Sequence, residues 1–296
     1  MTQIDRNLVR GLLTVGIAAG ALVAAAPAAA EIRLQFQDRD VARMVSLGGS
    51  CNRCELSGRD LSGAAFTGAV FTEATLVGAN MRGAEMVGSN FSGSDFSRAE
   101  LAGAGMTGAN FTGAIFTRAN MAGVMGLGAT LVRARFQDAV LTEAELNGAN
   151  LNSAVLRGAN LREAELNAAT LANVDARGAD FSGAEISMSN LSNGDFRGAS
   201  FRNAELNGAR LTGGDFRDAD FRGAELHRAD LRGADLSRVR GLHQDSVGQA
   251  CGDASTRLPA GLTTRNCRNL LRIAPPAPPA PPAPPRVRNL VLASEH

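Results

Sequence analysis

A strict period of five residues governs the hydrophobic pattern in the middle of the chain. Every fifth position from Leu56 to Leu236 belongs to one series, and 35 of its 37 positions are Leu, Phe, Met or Ile. Gly126 and Ala176 are the two exceptions, and no insertion or deletion interrupts the series. Ala lies two residues before the apolar position in 28 of the 37 units. This regularity predicts a repeat architecture in which one residue in five faces a common axis.

Ordinary secondary structure does not explain this period, because a helix repeats every 3.6 residues and a strand every 2.0. Five residues can instead form one side of a square coil, with the large apolar residue and the small Ala both pointing inward. Gly is common two residues after the apolar position, as at Gly63 and Gly68. We interpret this position as a corner where the backbone must bend. Stacked coils would then pair their backbones about 4.8 Å apart, as strands do.

A second period, four times as long as the first, indicates four sides per coil. Charged residues recur at this longer interval in three series, and residues separated by it would lie above one another in the stack. The glutamate series is Glu145, Glu165, Glu185, Glu205 and Glu225. The other two are Asp175, Asp195, Asp215 and Asp235, and Arg157, Arg177, Arg197 and Arg217. The sequence therefore predicts columns of charge on the surface, and columns of Phe, such as Phe181, Phe201 and Phe221, along the axis.

The repeated units resemble those of the pentapeptide-repeat family. They include Ala-Asn-Leu-Arg-Glu (159–163), Ala-Asp-Phe-Ser-Gly (179–183) and Ala-Asp-Leu-Arg-Gly (229–233). The resemblance covers residues 54–240. It implies an all-β fold, a right-handed quadrilateral β-helix with four pentapeptides per coil and about nine coils. Such a solenoid has two open ends, so we also expect small caps at the N- and C-terminal ends.

The first 30 residues are typical of an export signal. Arg6 and Arg10 precede an apolar stretch, residues 11–26, which is followed by a small-residue cleavage pattern at 28–30. The apolar stretch is short for a membrane span, which takes about 20 residues. We therefore expect a mature chain beginning near Glu31, without a membrane span, in a bacterial periplasm or secreted.

The remaining boundaries follow from changes in composition. We assign residues 31–53 to an N-terminal cap with a short helix over 38–47, and residues 241–273 to a C-terminal cap with a helix over 244–250. Residues 274–285 read APPAPPAPPAPP, which favours polyproline II over helix or sheet. The final segment, 274–296, is thus predicted to be a Pro-rich disordered tail, with a tether or a ligand for a proline-binding groove as the alternative.

Four cysteines lie in two groups, one at each end of the repeat region. Cys51 and Cys54 form a CxxC immediately before the repeats, and Cys251 and Cys267 lie in the predicted C-terminal cap. An oxidising compartment favours disulfides within each group, and the length of the repeat region forbids pairing between the groups. Structural disulfides or inert thiols are the favoured interpretation of the CxxC. Redox activity and half of a metal site remain the alternatives.

The charged columns are the candidate partner surface. Like charges directly opposite one another destabilise a sheet, so the glutamate series needs compensation. Arg162, Arg202 and Arg222 each precede one of these glutamates by three residues, which suggests ion pairs across a corner. A charge-balanced, solvated surface is the favoured interpretation, and a stripe that binds a protein partner or a cation is the alternative.

Other function classes find little support. The chain contains no nucleophile–histidine–carboxylate motif and no phosphate loop, so we expect no enzyme activity and no cofactor. Some members of the family that the repeats resemble mimic duplex DNA and bind DNA gyrase. Residues 51–240 carry 19 Arg against 22 Asp and Glu, a net charge of −3, which is a poor match to DNA. A rigid structural or protein-interaction scaffold is therefore the predicted role, with an unidentified protein partner and no nucleic acid. The alternative is a macromolecule-binding protein that uses the charged stripe.

Overall fold

The computed structural model describes residues 49–267. Three predictions lie outside these residues: the export signal, most of the N-terminal cap with its helix over 38–47, and the Pro-rich tail. Within them, parallel β-bridges stack every fifth position on the position four units later, from Ser50 and Val70 to Asp220 and Arg240. Because four bridges are made before the chain returns to the same column, each coil has four sides. This confirms the coil length that the charged series predicted.

Each side of a coil contributes a single bridge residue before the chain turns again. The repeats therefore pair through isolated bridges and not through continuous strands. One unit illustrates the pattern: Leu161 N donates to Asp180 O at 2.7 Å, and Glu165 N donates to Ala144 O at 2.9 Å. These bonds link each coil to the coils on both sides. Nearly all the backbone hydrogen bonds that hold successive coils together thus join residues about one full coil apart in sequence.

A tight turn closes every unit. Ala164 N donates to Leu161 O at 3.2 Å, and Glu163 between them has φ 58°. A positive φ at the third residue of a four-residue turn is the signature of type II, which favours Gly there. The Gly predicted at the corners, such as Gly63 with φ 62°, occupies this position. Non-glycine residues also adopt it, and their side chains point outward at the corners.

The apolar series fills the axis of the coil as predicted. Phe201 is fully buried, and its ring stacks on Phe181 at a centroid distance of 5.1 Å and on Phe221 at 5.0 Å. The Ala two residues earlier also faces inward, and Ala199 is 1% exposed. A buried Phe contributes on the order of 2–3 kcal/mol through its apolar area. The stacked columns therefore hold successive coils together.

The departures from the pattern have local packing reasons. A Cβ on Gly126 would lie 2.8 Å from Leu146 Cδ2, so the leucine of the next coil occupies the missing space. A Cβ on Gly214 would lie 2.6 Å from the ring of Phe216, so Gly replaces the usual Ala. Ser94 also takes an Ala position, and its hydroxyl donates to Phe71 O at 2.6 Å and accepts from Ala74 N at 3.0 Å. A buried hydroxyl is tolerated there because both of these bonds are made.

The end of the coil is covered by a short irregular segment. It consists of helix α1, Gln244–Val247, and strands β1, Cys251–Gly252, and β2, Arg265–Asn266, which pair in parallel. The helix is shorter than the predicted 244–250, because Gly248 N closes the last turn on Gln244 O. Val247 and Ala250 are fully buried. They place apolar side chains over the last coil, which would otherwise be open to water.

A side chain replaces the next coil at the last corner. Gly213 N donates to the backbone of the following coil, at Arg232 O, whereas Gly233 N donates to Asp253 Oδ1 at 3.1 Å. The same oxygen accepts from Ser255 N at 3.0 Å and Thr256 N at 3.1 Å. The hydroxyl of Ser255 also donates to this oxygen, at 2.7 Å, and this bond, followed by those from the backbone N–H groups of Gly233 and Ser255, lowers the pKa of Asp253 to about 2. Within residues 49–267, no helix is both long and apolar enough to cross a lipid bilayer.

Candidate interaction surface

The cysteines pair within their groups, as the sequence suggested. Cys51 and Cys54 form one disulfide, with Cα atoms 5.7 Å apart, and Cys251 and Cys267 form the other, with Cα atoms 4.8 Å apart. Cys54 takes an inward Ala position and is 9% exposed. The second disulfide ties the residues after β2 to the last coils. Both pairs lie at ends of the described coil, where they restrain backbone that has a neighbouring coil on one side only.

The aspartate and arginine series share one side of the coil and form a single ladder. We call it the Asp–Arg ladder and define it by Asp175, Asp195, Asp215, Asp235, Arg157, Arg177, Arg197, Arg217 and Arg257. Within a coil, Arg197 holds Asp195 with two hydrogen bonds, of 2.8 and 2.6 Å. Between coils, Arg197 Nε lies 3.6 Å from Asp215 Oδ2. The ladder therefore alternates in charge across the side, and an arginine such as Arg197 contacts aspartates of two adjacent coils.

This arrangement neutralises itself. Arg177 donates to both oxygens of Asp175, and Arg157 Nε donates to Asp175 at 2.7 Å from the preceding coil. The hydrogen bond from Arg177, followed by that from Arg157, holds the pKa of Asp175 at about 2. On the neighbouring side, hydrogen bonds from Arg222 likewise hold the pKa of Asp220 at about 2. The Asp–Arg ladder is therefore occupied by its own ion pairs, which suits a structural role.

The glutamate column, defined as Glu145, Glu165, Glu185, Glu205 and Glu225, is built differently. Its members bridge one another from coil to coil, as the aspartates of the ladder do, but all except the half-buried Glu165 are exposed. Amides, not arginines, contact them. Asn147 Nδ2 donates to Glu165 at 2.7 Å, and Asn167 Nδ2 donates to Glu185 at 2.9 Å. The sequence analysis missed these asparagines, although they recur beside the glutamates at the interval of a full coil.

The predicted compensation by arginine is wrong for this column. Arg222 binds Asp220 two residues before it, and Arg162 Nη1 lies 3.9 Å from Asp180. Asp220 lies two residues before Arg222, and Asp180 stacks on the residue two before Arg162. Both aspartates are thus on the same side as their arginine and are reached more easily than a Glu around the corner. Among the described residues, no arginine forms an ion pair with a carboxylate of the glutamate column. This column is therefore acidic without local neutralisation.

An apolar patch continues the same side toward the N-terminal coils. Met125 bridges Glu145 and is 41% exposed, Leu127 is 57% exposed, and Val87 is 38% exposed. We call these three residues the apolar patch. The unit that contains Met125 reverses the usual order, because Gly126 faces inward while its two apolar neighbours face water. The signal for this patch was present in the sequence as the exception at Gly126.

The four-sided coil of five-residue units defines a class of solenoid, and the comparisons place the chain within it. The family model described as "Pentapeptide repeats" matches in eight copies, over residues 50–93, 84–123, 128–158, 159–198 and 199–238. The chain belongs to the pentapeptide repeat family. Members of this family are right-handed quadrilateral β-helices that generally lack enzyme activity and serve as structural or interaction proteins. A search of curated proteins found no match.

Solved structures of pentapeptide repeat proteins are similar to this chain. One is HetL, a pentapeptide repeat protein involved in heterocyst differentiation regulation from the cyanobacterium Nostoc sp. strain PCC 7120. It is 29% identical, covers 69% of this chain and 90% of its own, and has a TM-score of 0.54. Another is QnrB1, a plasmid-mediated fluoroquinolone resistance protein, which is 20% identical, covers 75% of this chain and 97% of its own, and has a TM-score of 0.36.

Proposed function

We propose that this protein is an exported, non-enzymatic scaffold that presents one side of a rigid coil to a protein partner. The scaffold is a right-handed β-helix of about nine coils, capped at both ends and carrying two disulfides that suit a periplasmic or secreted location. The side that contacts the partner is defined by the glutamate column and the apolar patch. We call it the glutamate face. It would bind a segment that offers both positive charge and apolar side chains.

The contrast between the two charged sides carries this proposal. The arginines of the Asp–Arg ladder are bound to its own aspartates, so a partner would have to break ion pairs to use them. The carboxylates of the glutamate column receive only asparagine amides, and Glu145 and Glu205 receive no hydrogen bond from a described side chain. In the other coils an asparagine 18 residues earlier donates to the glutamate. For Glu145 and Glu205 this position is occupied by Leu127 and Ser187, respectively. Unneutralised charge beside exposed apolar side chains is typical of a binding surface.

The alternative function is binding of a macromolecule through the charged stripe, and mimicry of duplex DNA is its less favoured form. DNA carries a negative charge about every 1.7 Å of its axis, on a surface that is acidic all round. Here the Asp–Arg ladder alternates in sign, and only one side of the coil is uniformly acidic. The acidic side is also interrupted, because Met125 separates Glu145 from Glu85 in the same bridge column. These features favour a partner that binds along one side.

A capture experiment compares two variants of the full chain. The first, Glu165→Gln/Glu185→Gln/Glu205→Gln, removes charge from the glutamate face but keeps side-chain size. The second, Arg177→Gln/Asp195→Asn/Arg197→Gln, alters the Asp–Arg ladder in the same coils. Proteins from the periplasm and medium of the producing cells are captured on each immobilised chain and compared by quantitative mass spectrometry. We expect partners of the unsubstituted protein to be lost with the first variant and retained with the second. Equal retention by both would refute a role for the glutamate face.

A further inference from the structure

We propose that Asp230, Cys251 and Cys267 form a binding site for a thiophilic divalent cation such as Zn²⁺ once the disulfide between the two cysteines is reduced. The inference goes beyond the proposed function and does not depend on it. The three candidate ligand atoms, one carboxylate oxygen and two sulfurs, all lie within 4.8 Å of one another. Within residues 49–267, no other set of three or more Cys, His, Asp or Glu side chains converges in this way.

The carboxylate already lies at the distance that a metal site requires. Zinc prefers a tetrahedron of ligands with Zn–S about 2.3 Å and Zn–O about 2.0 Å, so a sulfur and an oxygen of one site are about 3.5 Å apart and two sulfurs about 3.8 Å. Cys267 Sγ lies 3.6 Å from Asp230 Oδ1. The two sulfurs must move apart to form the site, and breaking the bond between them allows this. Three protein ligands leave the fourth position of the tetrahedron to water.

The backbone holds both cysteines in place without help from the disulfide. Cys251 is part of the stack, where its O accepts from Leu231 N at 2.8 Å. Cys267 follows β2 directly, and β2 pairs with β1. The segment before β2 is fixed as well, because the Gln244 side chain donates to Thr263 O at 3.0 Å and accepts from Thr263 N at 3.1 Å. Reduction breaks none of these bonds, so the two thiols remain neighbours and the site is preorganised.

The charge of the site suits a divalent cation. Metals bind the thiolate form of cysteine, so two thiolates and the Asp230 carboxylate carry three negative charges. The cation neutralises two of them, and Arg232, whose Nε donates to Asp230 Oδ1 at 2.9 Å, neutralises the third. Cys251 is 6% exposed and Cys267 is half-buried, so thiolates without a counter-charge would be costly here. Thiolate ligands select zinc-like ions over Mg²⁺ and Ca²⁺.

The C-terminal cap therefore has two alternative closures. The disulfide ties Cys267 to the last coils under oxidising conditions, and the metal does so under reducing conditions. Cys51 and Cys54 lack this second closure, because no described carboxylate or imidazole completes a set of three with them. In the reduced protein, the stability of the cap should depend on the metal.

Cobalt titration of the reduced full chain tests the site. The background is Cys51→Ser/Cys54→Ser, which removes the other two sulfurs. A phosphine reduces the remaining disulfide: one phosphine and one water give two thiols and the phosphine oxide, and the reagent is then removed without oxygen. Each thiol releases its proton when Co²⁺ binds. We expect one Co²⁺ per chain, with a thiolate-to-metal charge-transfer band in the near ultraviolet that Zn²⁺ abolishes by displacement. Co²⁺ held only by surface carboxylates gives no such band, and its absence would overturn the proposal.

Two matched variants in this background test the carboxylate. Asp230→Asn removes one ligand, and we expect the affinity for Co²⁺ to fall by about 100-fold or more, since even the loss of a residue that only orients a ligand costs about 10–100-fold. Asp235→Asn removes a carboxylate of similar exposure from the neighbouring side, 18% against 21%, and we expect it to leave the affinity unchanged. Equal affinity of both variants would refute the role of Asp230.

Thermal melting separates a built site from loose binding. Zn²⁺ should raise the melting temperature of the reduced background chain, because it binds the folded site, and should leave that of the oxidised chain unchanged. The oxidised form of Asp230→Asn shows whether this variant folds. Should it not fold, Cys267→Ser keeps the carboxylate in place, and we expect it to lose the charge-transfer band of the paired thiolates. One ion per two chains, or an equal rise in melting temperature for the oxidised chain, would contradict the proposal.

Discussion

Each residue of the five-residue unit has its own environment, and the unit's sequence follows from it. The apolar residue and the small residue before it face the axis, the bridge residue and the residue after the apolar position face water, and the corner residue adopts a positive φ. Several corners carry residues other than Gly, including Met188 with φ 58°. A non-glycine residue in this region is strained by about 1–2 kcal/mol. The corners are therefore the positions where single substitutions can raise stability.

A corner substitution tests this strain. Met188 is 74% exposed, so Met188→Gly should lose little packing, and we expect it to raise the free energy of unfolding by about 0.5–1 kcal/mol. The reverse change, Gly63→Ala, should lower it by about 1 kcal/mol, because the added Cβ meets no atom within 4 Å and only the backbone is affected. Denaturant unfolding of both variants measures these changes. Opposite signs to those expected would contradict the role of the corner.

Adjacent inward and outward positions should differ sharply in how much a substitution lowers stability. Phe201→Asp would place a charge between two stacked rings, so we expect severe loss of stability or of folding itself. Arg202 is exposed, and Arg202→Asp should lower the melting temperature by only a few degrees. The milder Phe201→Ala, which should cost about 3–5 kcal/mol, provides a measurable value when the Asp variant does not fold. Similar melting temperatures for the substitutions at 201 and 202 would contradict the inward assignment.

At the scale of structural elements, the two charged sides stabilise the stack in different ways. The Asp–Arg ladder links adjacent coils through ion pairs, and the glutamate column relies on amides that donate from the preceding coil. The series could be predicted from the recurrence at every fourth unit, since residues one coil apart must align. Their partners could not, because hydrogen-bond geometry decided between an Asp two residues away and a Glu around a corner. The helix of the C-terminal cap was predicted in place but not in length.

Acid should destabilise the coil through these aspartates. Asp175 and Asp220 have a folded-state pKa of about 2, below the usual value near 4 for an unfolded chain. Their ionised forms therefore stabilise the fold above about pH 4, and this stabilisation is lost as the pH falls from about 4 to about 2. Thermal melts across this range should show a steep fall in melting temperature, reduced in Asp175→Asn/Asp220→Asn. A flat profile for the unsubstituted protein would contradict the ion pairs.

At the scale of the whole molecule, the sequence determines the fold because the period is strict over the whole repeat region. A single repeated constraint, one large apolar residue per side, fixes the coil length, the sides and the columns together. The glutamate face could be predicted only in part. The acidic recurrence was visible, but the apolar patch arises where Gly126 interrupts the inward series and Leu146 fills the gap. The average pattern of the repeats does not predict that a side chain of one coil fills the space left by a glycine in the neighbouring coil.

The stack also fixes which amides exchange with water. In every unit of the described repeats, the residue after the apolar position, such as Ser62 or Thr67, donates no backbone–backbone hydrogen bond, whereas Leu61 donates to Asn80 O and Phe66 to Glu85 O. The protected amides lie between coils and open only when coils separate. Protection should therefore repeat along the chain with the period of the sequence.

Residue-resolved amide hydrogen exchange by NMR tests the central claim most directly. The account predicts that the fastest-exchanging amide of each unit is at every fifth residue from position 57 to position 237, with protection highest in the middle coils. Thr67 and Thr107, for example, should exchange fast. Members of this series whose N–H donates to a side-chain oxygen, such as Ser62 on Asp60 Oδ1 and Asn167 on Asn147 Oδ1, should exchange at an intermediate rate. Protection that followed a two-residue or a 3.6-residue period, or showed no period at all, would contradict a coil built from five-residue sides.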